Sequence, residues 1–491
     1  MVDVRLAFLI LSVCVFATAC TADDVAPPSG GAAPPSGAVA SSITTADGSQ
    51  RLSPGPSTSW VDGPDSGAGS ATVTVHPDAA RQTMQGFGAS FTDSSADLVA
   101  ASPRRAELMT ALFDPARGIG LTKLRQPMGA SDFSATFSTY DDVAPGASDW
   151  QLKKFSVDRD RKNILPLLRQ AAALNPALSV MATPWSPPAW MKDSGSLTGG
   201  KLTAAAFHTY AQYFVRFVRA YADAGVRVDA VTPQNEPTMA SPEYPSAQMA
   251  ASAQAAFIGN DLGPALRAAG LGTRILAYDH NWSDVDYPVS VLDNAKARGF
   301  VDGVAFHCYQ GDPAAQQEVL DRYPGIGVHL TECSSTQNSA DDKGFSDTLL
   351  WQAEHLLIEG TRTGASSVLA WNVALDAANG PARGWCRNCT GLLTVDPKVP
   401  SGVRFNAAYY VLGHAAKFTV PGAVRIDSTT EGGDGLESTA FRNPDGRISV
   451  VVLNTGDART FDLSLGGRHT TVSLPARSMA TYRTAQPQPG G

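Results

Sequence analysis

The stretch VDAVTPQNEP, residues 228–237, is a short apolar run that leads into an acid, Glu236. A second acid, Glu332, ends a similar run in VHLTECSS, residues 328–335. Short apolar runs of this kind predict strands that are buried in a parallel sheet. Carboxylates at the C-terminal ends of barrel strands are typical of active sites. Two of them on different strands are what the hydrolysis of a glycosidic bond requires.

Residues 84–416 have an alternating pattern of strands and helices. The clearest helical spacing lies at 203–224, where aromatic side chains recur every three or four positions. The predicted strands are Phe87–Phe91, Leu121–Met128, Leu178–Trp185, Val228–Glu236, Arg274–His280, Val301–Tyr309, Gly327–Glu332 and Ser367–Val373. Eight strands that alternate with helices predict an α/β fold, a (β/α)8 TIM barrel.

Residues 417–485 have a different pattern, with short strands separated by turns such as Pro444-Asp445-Gly446. This pattern predicts a small antiparallel β-sandwich. Residues 71–83, which precede the barrel, are expected to add a strand to the same sandwich. The sandwich is then discontinuous along the chain and braces the barrel at both ends. Residues 486–491 are expected to be a tail.

Residues 1–20 have the features of an export signal. Leu6–Ala19 is apolar but shorter than the roughly 20 residues that span a bilayer, and small residues precede Cys20. Cys20 stands where the cysteine of a bacterial lipobox is lipidated, so we expect export with either a lipid anchor at the cell surface or plain secretion. Residues 21–70 contain few large apolar side chains, which predicts a disordered linker.

Composition excludes several classes of protein. The chain has 491 residues, a net charge of −8 and no basic run, which argues against binding to nucleic acid. No segment after the signal is long enough to cross a membrane, so a lipid at the N-terminus is the one membrane contact that we expect. No HExxH motif or carboxylate–histidine cluster indicates a metal, and we expect a monomer that needs no cofactor.

Four cysteines remain beyond residue 20. The CxxC spacing of Cys386 and Cys389 also occurs in zinc sites, but no second ligand pair completes one. In an exported protein this spacing favours a local disulfide. Cys308 and Cys333 each flank a candidate active-site residue, and strand alternation points both away from the barrel interior. We expect them to be buried free thiols.

Several motifs, in order, resemble glycoside hydrolase family 30, the glucosylceramidase-like retaining β-glycosidases of clan A. They are QGFGASFTD (85–93), RQPMGASDF (125–133), TPWSPPAWMK (183–192) and the two glutamate motifs. The resemblance runs from about residue 71 to the C-terminus. It implies a double displacement with Glu236 as acid/base and Glu332 as nucleophile. The carboxyl groups of retaining enzymes lie about 5–5.5 Å apart.

The resemblance also implies a set of residues that bind the substrate. Asn235 would hold the 2-hydroxyl of the sugar, and Tyr309 would hydrogen-bond the nucleophile. The other members are Asp93, Trp185 and Trp371 in subsite −1, Arg125 beside the carboxylates, and Trp385 and Asn388 in the loop after strand eight. Plainer alternatives are a capping amide for Asn235, core aromatics for Trp185 and Trp371, and a structural ion pair for Arg125. His307 is expected to be a core histidine.

The expected substrate is a β-glucan or β-glucoside. Polar loops at the strand ends favour a β-1,6-glucanase, with Tyr244, Trp282 and Tyr287 as stacking platforms for successive sugars. A glucosylceramidase or a broad β-glucosidase is the main alternative. A xylanase, a galactanase and a carbohydrate-binding barrel without activity are the others.

Overall fold

A computed structural model describes residues 35–336, 344–399 and 401–485, apart from 36, 65, 66, 68 and 70. The predictions for the signal, for lipidation of Cys20 and for the tail at 486–491 lie outside these residues. In the part of the chain that is described, no helix combines the length and the apolar character needed to cross a membrane.

The barrel prediction is confirmed, because eight parallel strands close on themselves in chain order. Their residues are almost all buried, as their apolar runs require. Barrel strands one to eight are Gly86–Ser90, Lys123–Pro127, Ser179–Thr183, Val228–Val231, Arg274–Asn281, Val301–His307, Gly327–Glu332 and Ala365–Asn372.

Helices surround the barrel, most of them with one buried face, and Ala407–Ala416 is buried along its whole length. Phe207–Asp223 is the longest of those described, and its buried face carries the recurring aromatic side chains. The other α-helices are Asp93–Ala101, Arg105–Phe113, Ile164–Leu174, Ala251–Phe257, Gly263–Ala268, Asp286–Asp293, Ala295–Arg298, Ala314–Arg322, Phe345–Gln352, Gly360–Arg362 and Ala407–Ala416. Two π-helical turns, Ile258–Leu262 and Ala353–Glu359, join consecutive helices.

The side domain is one sheet of 11 strands whose core is separate from that of the barrel. Its C-terminal strands are Val424–Glu431, Leu436–Arg442, Ile448–Asn454, Arg459–Leu465, Arg468–Leu474 and Ser478–Thr484. Thr72–Thr83, which precedes the barrel, lies between two of these strands. The sheet therefore combines segments from both sides of the barrel sequence.

The prediction of a disordered linker over residues 21–70 is wrong for Ala38–Thr45. This segment is an eight-residue strand that pairs antiparallel with Ser478–Thr484. Backbone pairing needs no large side chains, and Val39 and Ile43 suffice to reach the sandwich core. Three short strands follow it at Ser53–Pro54, Thr58–Ser59 and Val61–Asp62.

A third, three-stranded sheet lies beside the end of barrel strand eight. It consists of Ala374–Asp376, Leu393–Val395 and Val403–Phe405. The loop with the CxxC motif runs between the first two of these strands, so the sheet anchors both ends of that loop.

Candidate active site

Glu236 and Glu332 both lie at the C-terminal end of the barrel. Glu332 is the last residue of barrel strand seven. Glu236 follows strand four with a φ of 44°, a conformation that is uncommon for a residue other than glycine. Its backbone N–H donates to the carbonyl of Asp279 at 2.9 Å, which ties this turn to barrel strand five.

Arg125 connects several residues of the site through hydrogen bonds, and none of its side chain is exposed to solvent. Its guanidinium donates to a carboxylate oxygen of Glu332, to Oδ1 of Asn235 at 2.7 Å and to Oδ2 of Asp279 at 2.9 Å. Burial raises the pKa of Asp279, but the charge of Arg125 and a hydrogen bond from His307 outweigh it and hold that pKa far below its usual range. Arg125 is therefore both a structural ion-pair partner and a direct contact of Glu332.

Each oxygen of Glu332 has its own donor. Arg125 donates to Oε2, and the hydroxyl of Tyr309 donates to Oε1 at 2.9 Å. Two donors on one carboxylate fix its orientation and favour its ionised form. The structure thus brings Tyr309 to the position that the sequence predicted for it.

His307 is buried, as expected of a core histidine, but it also contacts Glu236. Its Nδ1 lies 3.3 Å from Oε1 of Glu236, and its Nε2 lies 3.1 Å from Oδ1 of Asp279. Burial lowers the pKa of His307, but the charge of Glu332 and the hydrogen bonds to Asp279 and Glu236 raise it to about 9. The ring is therefore an imidazolium at neutral pH, with a carboxylate acceptor at each nitrogen.

Burial raises the pKa of both glutamates, and their neighbours decide the balance. For Glu236 the hydrogen bond from His307 and the charges of His280, His307 and Arg125 outweigh burial, so its pKa is lowered. For Glu332, burial and the negative charge of Glu236 outweigh the positive charges of His307 and Arg125, so its pKa is raised. The pKa values of the two glutamates are therefore shifted in opposite directions.

Trp185 and Trp371 pack together beside Arg125. Their rings stack with centroids 5.0 Å apart, and the Arg125 guanidinium lies within 5.4 Å of each centroid. Phe133 packs edge-on against Trp371, and Tyr244 belongs to the same cluster. Both tryptophans are therefore buried, as expected of core aromatics. Both rings also lie against the guanidinium of Arg125.

Asp132 is a candidate that sequence reasoning missed. It is 7% exposed, and its Oδ1 has no hydrogen-bond partner. Burial and the charges of Glu332 and Glu236 raise its pKa well above the usual range, so it lies near the carboxylate pair. Its place in the RQPMGASDF motif is the sequence signal that points to it. Asp93 forms an ion pair with Arg159 at 2.7 Å.

The loop after barrel strand eight is closed by a disulfide. Cys386 and Cys389 are joined, with Cα atoms 5.0 Å apart, at the end of a short helix that contains Trp385 and Asn388. Cys389 also pairs with Thr336 in the loop after strand seven. The loop is therefore fixed beside barrel strand seven, which ends in Glu332.

The expectation that Cys308 and Cys333 are free thiols is wrong, because they form a second disulfide with Cα atoms 5.2 Å apart. Both side chains do point away from the barrel interior. They follow neighbouring strands at the same level, so one faces the other. The bond joins the residue before Tyr309 to the residue after Glu332.

Two of the three predicted stacking platforms, Trp282 and Tyr287, are wrong, and the third, Tyr244, is 7% exposed and packs in the cluster of Trp185 and Trp371. Trp282 is 3% exposed and donates to Gln316, and Tyr287 is 6% exposed and donates to the carbonyl of Met249. Both rings pack in the barrel core because helix Asp286–Asp293 turns back against strand five. Sequence spacing does not reveal such a turn.

The expectation that the chain has no carboxylate–histidine cluster is also wrong. Glu236, His280 and His307 each bring one atom that could bind a metal to within 4.8 Å of the others. The three residues lie at the ends of three different strands, so no local sequence motif indicates the cluster.

Comparison with known proteins places both domains in one family. The family model for the glycosyl hydrolase family 30 TIM-barrel domain matches residues 84–419, and that for the family's beta sandwich domain matches 422–482. The chain is 34% identical over 434 residues to endo-1,6-beta-D-glucanase neg1 of Aspergillus fumigatus, which covers 82% of this chain and 85% of that protein.

Another relative is named after a different substrate. The lysosomal acid glucosylceramidase of Mus musculus is 32% identical over 416 residues, covering 78% of this chain and 77% of that protein. Among solved structures, the endo-beta1,6-glucanase BT3312 superposes with a TM-score of 0.84 at 30% identity. That match covers 92% of this chain and 100% of the other.

Proposed function

The chain belongs to glycosyl hydrolase family 30 and is a glycoside hydrolase, and we propose that it cleaves β-1,6-glucosidic bonds in glucan with retention of configuration. The observation that carries the chemistry is the pair Glu236 and Glu332, which Arg125 and His307 connect. Relatives named as endo-1,6-beta-glucanases, at up to 34% identity over most of the chain, support the choice of linkage.

In this mechanism Glu332 attacks the anomeric carbon, and Glu236 protonates the departing oxygen. Arg125 and Tyr309 each hold one oxygen of Glu332, so the carboxylate is oriented before the sugar arrives. Asn235, fixed by Arg125 at 2.7 Å, is placed to hold the 2-hydroxyl of the sugar. Water then hydrolyses the glycosyl–enzyme intermediate, with Glu236 acting as the base.

These roles need a proton on Glu236 and none on Glu332, whereas the surroundings lower the pKa of Glu236 and raise that of Glu332. His307 offers a way to correct this mismatch. The imidazolium Nδ1 lies 3.3 Å from Oε1 of Glu236 and can pass a proton there as the departing oxygen leaves. Arg125 and Tyr309 meanwhile stabilise Glu332 as an anion. We propose His307 as a residue that sets the protonation of Glu236.

The rim of the site supports a sugar rather than a ceramide on the leaving-group side. A groove beside Tyr309 is lined by Ser334, Ser335, Thr336, Asp347, Thr348 and Trp351. Two alkyl chains need a contiguous apolar surface, whereas hydroxyl groups and one indole suit a second glucose unit. We therefore place the glucan chain along the loops after strands six and seven.

A hydrolysis panel tests the substrate. β-1,6-Glucan, β-1,3-glucan, xylan and glucosylceramide are each incubated with the wild type and with Glu332→Gln, which keeps the shape of the side chain but removes the nucleophile. We expect sugars to be released from β-1,6-glucan by the wild type alone. Release from glucosylceramide, with none from β-1,6-glucan, would contradict the proposal.

We also propose that the chain works outside the cytoplasm, anchored by a lipid on Cys20. The sequence features of residues 1–20 support export, and two disulfides among the described residues suit an oxidising compartment. Mass spectrometry of protein isolated from membranes would show a diacylglyceryl group on Cys20. A secreted chain that begins elsewhere, with no lipid, would contradict the anchor.

A further inference from the structure

Three side chains at the ends of strands four, five and six surround a common point. Oε1 of Glu236 lies 3.3 Å from Nδ1 of His307 and 3.4 Å from Nδ1 of His280. Zinc bonds of about 2.0–2.2 Å in a tetrahedron place neighbouring donor atoms roughly 3.3–3.5 Å apart. Two of the three edges between these atoms therefore already have the length that a tetrahedral ion requires.

His280 provides a second, independent observation. Its Nδ1 has no hydrogen-bond partner although the residue is only 7% exposed. A buried polar atom without a partner costs about 1–3 kcal/mol, so it is seldom left without a reason. This nitrogen lies 3.4 Å from Glu236, where a ligand shared with that carboxylate would satisfy it.

His307 has the outer contact that is typical of a metal ligand. Histidines that bind a metal through one nitrogen almost always donate from the other to a carboxylate or carbonyl, which fixes the ring. Here Nε2 of His307 lies 3.1 Å from Oδ1 of Asp279, and that oxygen also accepts from Thr331 at 2.7 Å. The other ring nitrogen, Nδ1, faces Glu236 at 3.3 Å, where an ion would take the place of the proton between them.

We propose that Glu236, His280 and His307 form a binding site for a divalent transition-metal ion such as Zn²⁺, and that an ion bound there inhibits the enzyme. Two imidazoles and a carboxylate suit Zn²⁺ or Cu²⁺, whereas Mg²⁺ prefers a shell of oxygen atoms. The ion displaces a proton from His307 and occupies the oxygen with which Glu236 protonates the departing group. Binding itself depends on neither the linkage nor the identity of the substrate.

Zinc binding is measured by competition with a chromophoric chelator, after the protein has been treated with EDTA. We expect the wild type to bind one Zn²⁺ at this site and Mg²⁺ to give no signal. His280→Ala should weaken zinc binding by at least the roughly 10–100-fold that loss of an outer-shell partner costs. His208→Ala, which removes an exposed imidazole from helix Phe207–Asp223, is the matched control and should bind as the wild type does.

Glu236→Gln is the second variant, because it keeps the shape of the side chain and replaces an anionic ligand with a weak one. It should lose zinc binding to a similar extent. Zn²⁺ should also inhibit hydrolysis of an aryl β-glucoside by the wild type, reversibly on addition of EDTA. Zinc binding that is unchanged in both His280→Ala and Glu236→Gln would overturn the proposal. Inhibition that is equally strong in His280→Ala would overturn the link to this site.

Discussion

Replacing Tyr309 with Phe removes one oxygen atom from the site and tests how Glu332 is oriented for its proposed role as nucleophile. The hydroxyl of Tyr309 donates to Oε1 of Glu332 at 2.9 Å, and the other oxygen is held by Arg125. The ring of Phe fits the same space, so the change takes away a hydrogen bond to an anion and little else. The carboxylate then keeps a single donor.

The magnitude follows from the kind of bond that is lost. A hydrogen bond to a charged group contributes about 1.5–3 kcal/mol. Since each 1.36 kcal/mol changes a rate tenfold, kcat/KM should fall by about 10- to 150-fold. Loss of the donor also disfavours the anion and raises the pKa of Glu332. The acid limb of the pH profile of kcat/KM should therefore move to higher pH.

The assay is the pH dependence of kcat/KM on an aryl β-glucoside, with Tyr287→Phe as the matched control. The hydroxyl of Tyr287 is also buried, but it donates to the neutral carbonyl of Met249 at 2.6 Å. Its removal should lower the free energy of unfolding by about 0.5–1.5 kcal/mol and leave the pH profile in place. Equal effects of the two variants on kcat/KM, or an unmoved acid limb in Tyr309→Phe, would refute the reasoning.

Three further changes have distinct expected outcomes. Asp132→Ala should lower kcat/KM by about 10- to 100-fold, because a buried carboxyl group beside the two glutamates is lost. Cys308→Ala combined with Cys333→Ala should lower the free energy of unfolding by about 3–4 kcal/mol, and should lower kcat by loosening the Tyr309–Glu332 contact. Ile43→Ala should cost about 2–5 kcal/mol of stability, measured by denaturant unfolding, with kinetics unchanged.

Two of these changes have matched controls. Replacing Cys386 and Cys389 by Ser opens a much shorter loop and should cost about 1–2 kcal/mol. Val61→Ala lies in the same N-terminal segment as Ile43, but Val61 is 54% exposed and its loss should change stability by less than about 0.5 kcal/mol. An Ile43→Ala variant as stable as Val61→Ala would mean that Ala38–Thr45 does not pack on the sandwich. A wild-type kcat in the Cys308 and Cys333 variant would mean that this disulfide has no part in positioning Glu332.

The barrel was predictable because its signal is local. Each strand is a short apolar run between polar turns, and the runs from Gly86–Ser90 to Ala365–Asn372 all lie within the predicted segments or within two residues of them. The N-terminal strand Ala38–Thr45 was not predictable in this way. Its pairing depends on Ser478–Thr484, far along the chain, and its own side chains are mostly small and polar.

The site was predictable where a local motif ends a strand, which is why the strand-end positions of Glu236 and Glu332 were expected. It was not predictable where function arises from contacts between strands. His280 and His307 approach Glu236 only because three strand ends converge. Cys308 and Cys333 face each other only because their strands are neighbours at equal height. The positions of these residues along the chain indicate neither the approach of the histidines to Glu236 nor that of the two cysteines to each other.

The most direct test of the central claim is proton NMR of the first products released from β-1,6-glucan. If Glu332 attacks the sugar and Glu236 protonates the departing oxygen, the new reducing ends appear first as the β-anomer, and the α-anomer grows in only by mutarotation. Initial release of the α-anomer would contradict the account, and so would a failure to cleave β-1,6-glucan by wild-type enzyme that hydrolyses an aryl β-glucoside.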